Sequence, residues 1–103
     1  MKMSEKKIFS DFESAIEFII DSLDDSERDL IKNADPAGLY MALDRWIKND
    51  YVYSETTNIN ELIHEKVREE DPYYNNNPSA NLTIHPDNLS GIIIEGLIEK
   101  LQN

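Results

Sequence analysis

The sequence predicts a mainly α-helical fold, a compact bundle of about five helices in a single domain. Apolar residues recur at intervals of three and four along most of the chain, which is the spacing of one helix face. Residues that favour helix starts precede these segments. A chain of 103 residues can bury one core but not two, and it has no cysteine for a disulfide or a thiolate zinc site. We expect residues 1–9 to be a flexible basic N-terminus and residues 10–103 to form the helical domain.

The first helix is predicted over residues 11–22. Ser10 stands three residues before Glu13, which is the spacing of a capping box. The apolar residues that follow share one helix face: Phe12, Ala15, Ile16, Ile19, Ile20 and Leu23. Glu13, Glu17 and Asp21 recur at every fourth position and form an acidic stripe along the same helix.

The next two helices are predicted from their start signals. Asp24 stands three residues before Glu27 and opens a short helix over residues 25–33. Asp35, which is followed by proline, opens a third helix over residues 36–49. The buried stripe of this third helix is Leu39, Leu43, Trp46 and Ile47.

Two further helices are predicted in the second half of the chain. Asn58 opens a helix over residues 59–70, and residues 71–84 are expected to be a loop. Pro86 lies in the first turn of the last helix, residues 86–101. Its apolar residues cover more than half of its circumference: Leu89, Ile92, Ile93, Ile94, Leu97, Ile98 and Leu101. Such a helix is either central in the bundle or half of a homodimer interface.

Short extended segments and structural side chains complete the predicted fold. Residues 51–53 and 82–84 are rich in β-favouring residues and are expected to pair as a minor two-stranded ribbon. Four side chains are predicted to be structural: Trp46, Asn49, His85 and Asp87. The tryptophan belongs to the core and the asparagine ends the third helix, while His85 or Asp87 bonds to first-turn N–H groups of the last helix.

The charge of the chain restricts its partners. Ten lysine and arginine residues against 21 aspartate and glutamate residues give a formal net charge of −11. Such a body is repelled by nucleic-acid phosphates and by anionic membranes, and it suits a protein partner with a basic surface. No signal peptide and no membrane-spanning run is visible, so we expect a soluble, cytoplasmic protein.

Tyrosines in the two long connections suggest a recognition surface. Tyr51, Tyr53, Tyr73 and Tyr74 lie beside asparagine and serine residues, a composition typical of adaptable protein-binding surfaces. We therefore predict a small protein-interaction module, a binder or inhibitor of the kind used in bacterial immunity or phage counter-defence. Its partner-binding residues would be these four tyrosines together with Glu13, Glu17 and Asp21 of the acidic stripe.

A DNA mimic is the main alternative. A second acidic stripe, Glu61, Glu65 and Glu69, repeats the spacing of the first. Carboxylates four residues apart on a helix are separated by about 6 Å along the axis, which is close to the spacing of phosphates along one DNA strand. A protein with such stripes could block a nucleic-acid-binding partner.

A metal-dependent or hydrolytic enzyme is the third reading. Glu61 and His64 have the Glu-x-x-His spacing of helical metal sites, but the chain contains a single such motif. Ser90 lies close to His85 in sequence, without the glycine elbow that exposes a serine nucleophile. We predict no enzymatic activity, no cofactor, and no catalytic or metal-binding residue.

Two motifs resemble a known family. Trp46-Ile47-Lys48-Asn49 and the helix start His85-Pro86-Asp87-Asn88-Leu89-Ser90 resemble those of a small bacterial helical family described as a domain of unknown function. The resemblance covers residues 10–101. The family has arginine at Lys48 and aspartate at Asn88, so a salt bridge between those positions would be weakened in this chain. The resemblance implies a helical fold and no particular activity.

Overall fold

The computed structural model describes residues 6–54, 56–77 and 79–102, and nearly all of their regular structure is helical. In these ranges the elements are α1 (Phe12–Ser22), α2 (Asp25–Asn33), α3 (Pro36–Ile47), a π-helical turn (Lys48–Val52), α4 (Ile59–Glu70), α5 (Pro72–Asn76) and α6 (Pro86–Gln102). The predicted mainly α-helical bundle is confirmed. No helix within the described ranges is long and apolar enough to cross a membrane.

The last helix, α6, forms the centre of the bundle. It packs against α1, α2, α3, α4 and the π-helical turn. Leu89, Ile93, Ile94 and Leu97 are buried, and the other apolar side chains of the helix are half-buried against its neighbours. The wide apolar surface of α6 is therefore covered within one chain, which removes the reason for predicting a homodimer through residues 86–101.

Two hydrophobic clusters make up the core. The larger joins α1, the π-helical turn, α4 and α6, and the smaller consists of Leu23, Ile31 and Leu39. Trp46 packs against both clusters, in agreement with its predicted place in the core. Because the clusters share such neighbours, the bundle has one continuous interior.

An extended segment, residues 6–9, is fastened to the start of α4; we call it the N-terminal strap. The Lys7 N–H donates to the Thr56 carbonyl oxygen over 2.8 Å, and the Asn58 N–H donates to the Lys7 carbonyl oxygen over 3.1 Å. The Asn58 side chain accepts from the Phe9 N–H at 2.8 Å and donates to the Phe9 carbonyl oxygen at 3.0 Å. The folded domain thus begins before residue 10, which corrects the predicted boundary; residues 1–5 lie outside the described residues.

The predicted helices start within one residue of their predicted positions, but Asp35 and Asn58 form no side-chain cap hydrogen bond and the cap of α1 differs. The carboxylate of Asp24 accepts from the Glu27 N–H at 2.8 Å and the Glu27 side chain accepts from the Asp24 N–H at 3.0 Å, which confirms this capping box. In α1 the cap is Asp11, which accepts from the Ser14 N–H at 2.8 Å, and not Ser10. A carboxylate is the better partner there because it also faces the positive end of the helix.

The predicted end of the third helix is wrong. Asn49 does not stop α3, because the chain continues into the π-helical turn, where the Tyr53 N–H donates to the Lys48 carbonyl oxygen over 2.7 Å. The wider turn takes up one extra residue. Tyr51 and Val52 are both buried as a result.

The predicted ribbon between residues 51–53 and 82–84 is also wrong. Tyr51 and Val52 belong to the π-helical turn, and residues 82–84 have no regular structure. Part of the predicted loop is helical, since Asp71 caps α5 by accepting from the Tyr73 N–H at 2.9 Å. In the described ranges the one extended pairing is the bridge between the N-terminal strap and Thr57.

Candidate functional site

A groove of about 1240 Å³ runs between α1, α4 and α6; we call it the acidic groove. Its apolar surface is formed by residues from all three helices: Phe12, Leu62, Val67, Ile92 and Gly96. Most of these side chains are only half-buried, so a bound molecule could contact them. Each of the three helices turns an apolar face to the core. The groove lies at the surface, where the polar faces of these helices meet.

Two rows of carboxylates line opposite walls of this groove. Glu65 and Glu69 lie on α4, and Glu95 and Glu99 lie on α6. All four residues are exposed, and none forms an ion pair with a residue in the described part of the chain. The members of each row are four residues apart, so they stand about 6 Å apart along their helix.

Lysines of the chain already bind at the edges of the acidic groove. The Lys66 ammonium lies 2.6 Å from Glu70 Oε1 and 5.9 Å from the centre of the Phe12 ring. Lys100 lies 2.7 Å from Glu13 Oε1 and 3.5 Å from a Glu17 oxygen. The hydrogen bond with Glu13 is the main cause that raises the pKa of Lys100. The edges therefore show how cationic side chains are held beside this groove.

The first acidic stripe is not a row of three free charges. Glu13 and Glu17 are paired with Lys100, and Asp21 lies outside the acidic groove. In the second stripe, Glu61 is paired with Lys6 at 2.9 Å. The remaining members of that stripe are Glu65 and Glu69, which line the groove. The regular series of phosphate-like charges that a DNA mimic needs is therefore interrupted on both helices.

The four tyrosines do not form one surface. Tyr51 is 9% exposed and meets Trp46 edge to face at 5.9 Å, so little of its side chain is accessible to a partner. Tyr53 is 58% exposed and Tyr73 is 61% exposed. Tyr53 precedes α4, whereas Tyr73 and the half-buried Tyr74 follow it. The twelve residues of α4, about 18 Å of helix, separate the two groups.

A polar junction joins the two segments that carry the family resemblance. Lys48 Nζ lies 2.8 Å from Asp44 Oδ2 and also pairs with Asp87. The hydrogen bonds with these two carboxylates, that of Asp44 first, raise the pKa of Lys48. Ser90 is fully buried, donates to Asp44 Oδ1 and lies 3.1 Å from the Asp87 carbonyl oxygen. The cation at position 48 is thus paired through Asp44 and Asp87, not through Asn88.

The junction holds α3 against α6 and offers no nucleophile. Ser90 has no exposed surface, and the hydrogen bonds to Asp44 and Asp87 keep Lys48 charged. His85 Nδ1 accepts from the Asp87 N–H at 3.1 Å, which confirms that His85 bonds to the first turn. The Asp87 carboxylate instead reaches across to α3. Asp44 is the member that the sequence analysis missed: its i, i+4 spacing to Lys48 was the available signal, whereas its other partner, Ser90, is distant in the chain.

The Glu-x-x-His spacing on α4 serves the fold. His64 Nδ1 donates to the Asn60 carbonyl oxygen at 2.7 Å, and Glu61 is held by Lys6. Residues 6–54, 56–77 and 79–102 contain no cluster of three side chains that could hold a metal ion. Both side chains are therefore engaged in contacts within the chain.

Acid should weaken the junction through Asp44. The hydrogen bond from Lys48 lowers the pKa of the Asp44 carboxyl below its ordinary value, and that from Ser90 lowers it further. A carboxyl with a lowered folded-state pKa stabilises the fold above its unfolded-state pKa of about 4 and loses that contribution as the pH falls through the folded-state value. We expect the free energy of unfolding of the wild type to exceed that of Asp44→Asn near neutral pH, by a margin that shrinks below about pH 4.

Urea unfolding of both proteins from about pH 6 to about pH 2.5 measures this margin. Taking the difference between two otherwise identical proteins cancels the titration of the other acidic residues. A margin that stays constant over the whole range would contradict the prediction.

Comparison of the chain with protein-family models, with curated proteins and with solved structures finds no match. The resemblance to the small bacterial helical family therefore stays a prediction.

Proposed function

We propose that this protein is a small interaction module that binds a basic segment of a protein partner in the acidic groove. The observation that carries the proposal is the arrangement of four exposed carboxylates, two on α4 and two on α6, which form no ion pair among the described residues and line the groove beside its apolar surface. Cationic side chains of a partner would neutralise the four carboxylates. Its apolar side chains would cover the apolar surface of the groove. A binder or inhibitor of this kind, acting in the cytoplasm in bacterial immunity or phage counter-defence, is the role that we propose.

The charge distribution supports a basic partner. The net charge of −11 attracts a cationic protein over a distance of about one Debye length, which is about 8 Å at physiological salt. This attraction chiefly accelerates association. Affinity would come from the half-buried floor residues Phe12, Val67 and Ile92, because covering apolar surface contributes about 25 cal/mol per Å².

The concave shape of the site favours this function over DNA mimicry. A mimic has to project its charges outward, as a duplex projects its phosphates, so that they enter a basic groove of the partner. Here Glu65, Glu69, Glu95 and Glu99 line a groove themselves. A protruding basic segment fits such a groove better than a nucleic-acid-binding cleft does.

Groove variants with a matched control test the proposed function. Glu65→Gln with Glu69→Gln removes two charges from the acidic groove, and Asp21→Asn with Asp29→Asn removes two exposed charges elsewhere. The probe is a fluorescent peptide of lysine and leucine, and binding is measured by anisotropy at physiological salt. We expect the groove variant to bind about tenfold more weakly, a change of about 1.4 kcal/mol, and the control to bind as the wild type does.

Two results would contradict the proposed function. Equal losses in both variants would mean that the peptide responds only to net charge. Unchanged binding in the groove variant, together with a loss on Tyr53→Ala or Tyr73→Ala, would move the binding surface to the tyrosine-bearing connections. Circular dichroism of every variant establishes that the helical fold is retained.

A further inference from the structure

We infer that the segment recognised by the acidic groove is an amphipathic α-helix with lysine or arginine along both flanks of an aliphatic stripe. This inference rests on the proposed function and specifies its partner. It follows from three features of the groove: the carboxylates on α4 and α6, the apolar residues that line it with them, and the two lysines of its lining that pair with carboxylates.

The spacing of the rows limits the partner to regular backbones. Glu65 and Glu69 are four residues apart on α4, and Glu95 and Glu99 are four residues apart on α6, which places each pair about 6 Å apart along its helix. Cations at i and i+4 of a bound helix have the same spacing of about 6 Å. Cations at i and i+2 of an extended strand are about 6.8 Å apart, so spacing alone leaves both conformations open.

The apolar floor decides between helix and strand. An extended segment can lie with its side chains toward the two walls, but one backbone edge then faces Phe12, Val67 and Ile92, which offer no hydrogen-bond partner. If the strand is turned so that its side chains face the floor, its backbone edges face the carboxylates. Its N–H groups then find acceptors, but its carbonyl oxygens meet negative charge.

A helix avoids both problems because it satisfies its backbone hydrogen bonds internally. Its aliphatic stripe can face the floor while residues on either side of that stripe reach the two walls. The groove thus combines apolar residues with carboxylates from two helices, and an amphipathic helix with basic flanks presents the complementary groups.

The lysines at the groove edges show the contacts that such flanks would make. Lys66 contacts Glu70 and lies over the Phe12 ring, and Lys100 joins Glu13 to Glu17 across neighbouring turns of α1. Both lysines line the groove, and the ammonium group of each meets a carboxylate. A lysine or arginine of the partner has a similar aliphatic stem and the same charge, and it would pair with Glu65, Glu69, Glu95 or Glu99.

Three peptides of about 12 residues, the length of α4, test the inference. The first places leucine at i, i+3, i+4 and i+7 with lysine on both flanks. The second has the same composition with leucine and lysine alternating, and the third is the first peptide with a central leucine replaced by proline. Binding to the full chain is measured by calorimetry, and the helix content of each mixture by circular dichroism.

We expect the first peptide to bind about tenfold more tightly than the other two and to gain helical signal on binding. We also expect that gain to be lost with the Glu65→Gln, Glu69→Gln variant. Equal or tighter binding of the alternating peptide, still dependent on Glu65 and Glu69, would overturn the inference and leave the proposed function intact. Binding of the first peptide without a gain in helix would also overturn it. Binding of any peptide that ignores the groove variant would overturn the proposed function itself.

Discussion

Gly96→Val should destabilise the fold by about 2 kcal/mol or more, because Gly96 of α6 lies directly against Ile16 and Phe12 of α1. A Cβ atom at Gly96 would lie 2.8 Å from Ile16 Cδ1 and 3.0 Å from Ile16 Cγ1, and 3.2 Å from Phe12 Cε2. Ile16 is almost completely buried and has little room to move. The added methyl groups of valine would therefore push the two helices apart. Urea unfolding monitored by circular dichroism measures the loss.

Gly38→Ala is the matched control for this prediction. Gly38 lies in α3, it is exposed, and a Cβ atom there would meet nothing within 4 Å. Alanine should raise the free energy of unfolding by about 0.5–1 kcal/mol, because it restricts the unfolded chain and favours the helix. In a double-mutant cycle, Ile16→Ala should recover part of the loss caused by Gly96→Val. Independent, additive losses would show that the two side chains do not compete for one space.

Asn58→Ala should destabilise the fold by about 3 kcal/mol. This side chain is buried and forms both hydrogen bonds to the Phe9 backbone. Alanine would leave the Phe9 N–H and carbonyl oxygen without partners, and each unpaired buried group costs about 1–3 kcal/mol. The N-terminal strap would then detach from the start of α4. Urea unfolding gives the loss, and hydrogen exchange at Phe9 shows whether the strap has opened.

Two further variants identify which bond matters. Asn58→Asp keeps the acceptor for the Phe9 N–H but loses the donor to the Phe9 carbonyl oxygen, so an intermediate loss is expected. Asn33→Ala removes an exposed side-chain bond to the Asp29 carbonyl oxygen and should change stability by less than about 0.5 kcal/mol. If Asn58→Ala and Asn33→Ala were equally mild, the strap would contribute little to the fold.

Local signals were sufficient to predict most of the helices. The observed α2 has the predicted bounds, α4 has the predicted bounds, and α6 extends one residue beyond its predicted end. These helices could be predicted because a helix-start signal and an apolar face lie within a few residues of each other in the sequence. The loop expected over residues 71–84 overlooked that Asp71-Pro72 can start a helix, and α5 was missed for that reason.

Features that depend on distant contacts were not predictable in this way. The π-helical turn places Tyr51 and Val52 in the core, where they meet residues that are distant in the chain. The N-terminal strap depends on Asn58, which lies 49 residues from its partner Phe9. Asn58 was correctly placed at the start of α4, but its side chain caps no helix there.

The candidate site was half visible in the sequence. Glu65 and Glu69 were recognised as part of a stripe, whereas Glu95 and Glu99 were overlooked among the apolar residues of the last helix. Their repeat at i and i+4 was the available signal. That the two pairs face one another depends on the packing of α4 and α6 on α1, which no local pattern reveals.

The central position of α6 has a consequence for the order in which the chain can fold during synthesis. Every larger helix packs on α6, which the ribosome produces after all of them. While residues 1–85 emerge, the α1 and α4 side chains of the larger cluster therefore lack the part of the core that Ile93 and Leu97 supply, although α1 and α4 also pack on each other. The bundle is completed only when α6 emerges, and a nascent chain stalled before Pro86 would expose this unfinished core to proteases and chaperones.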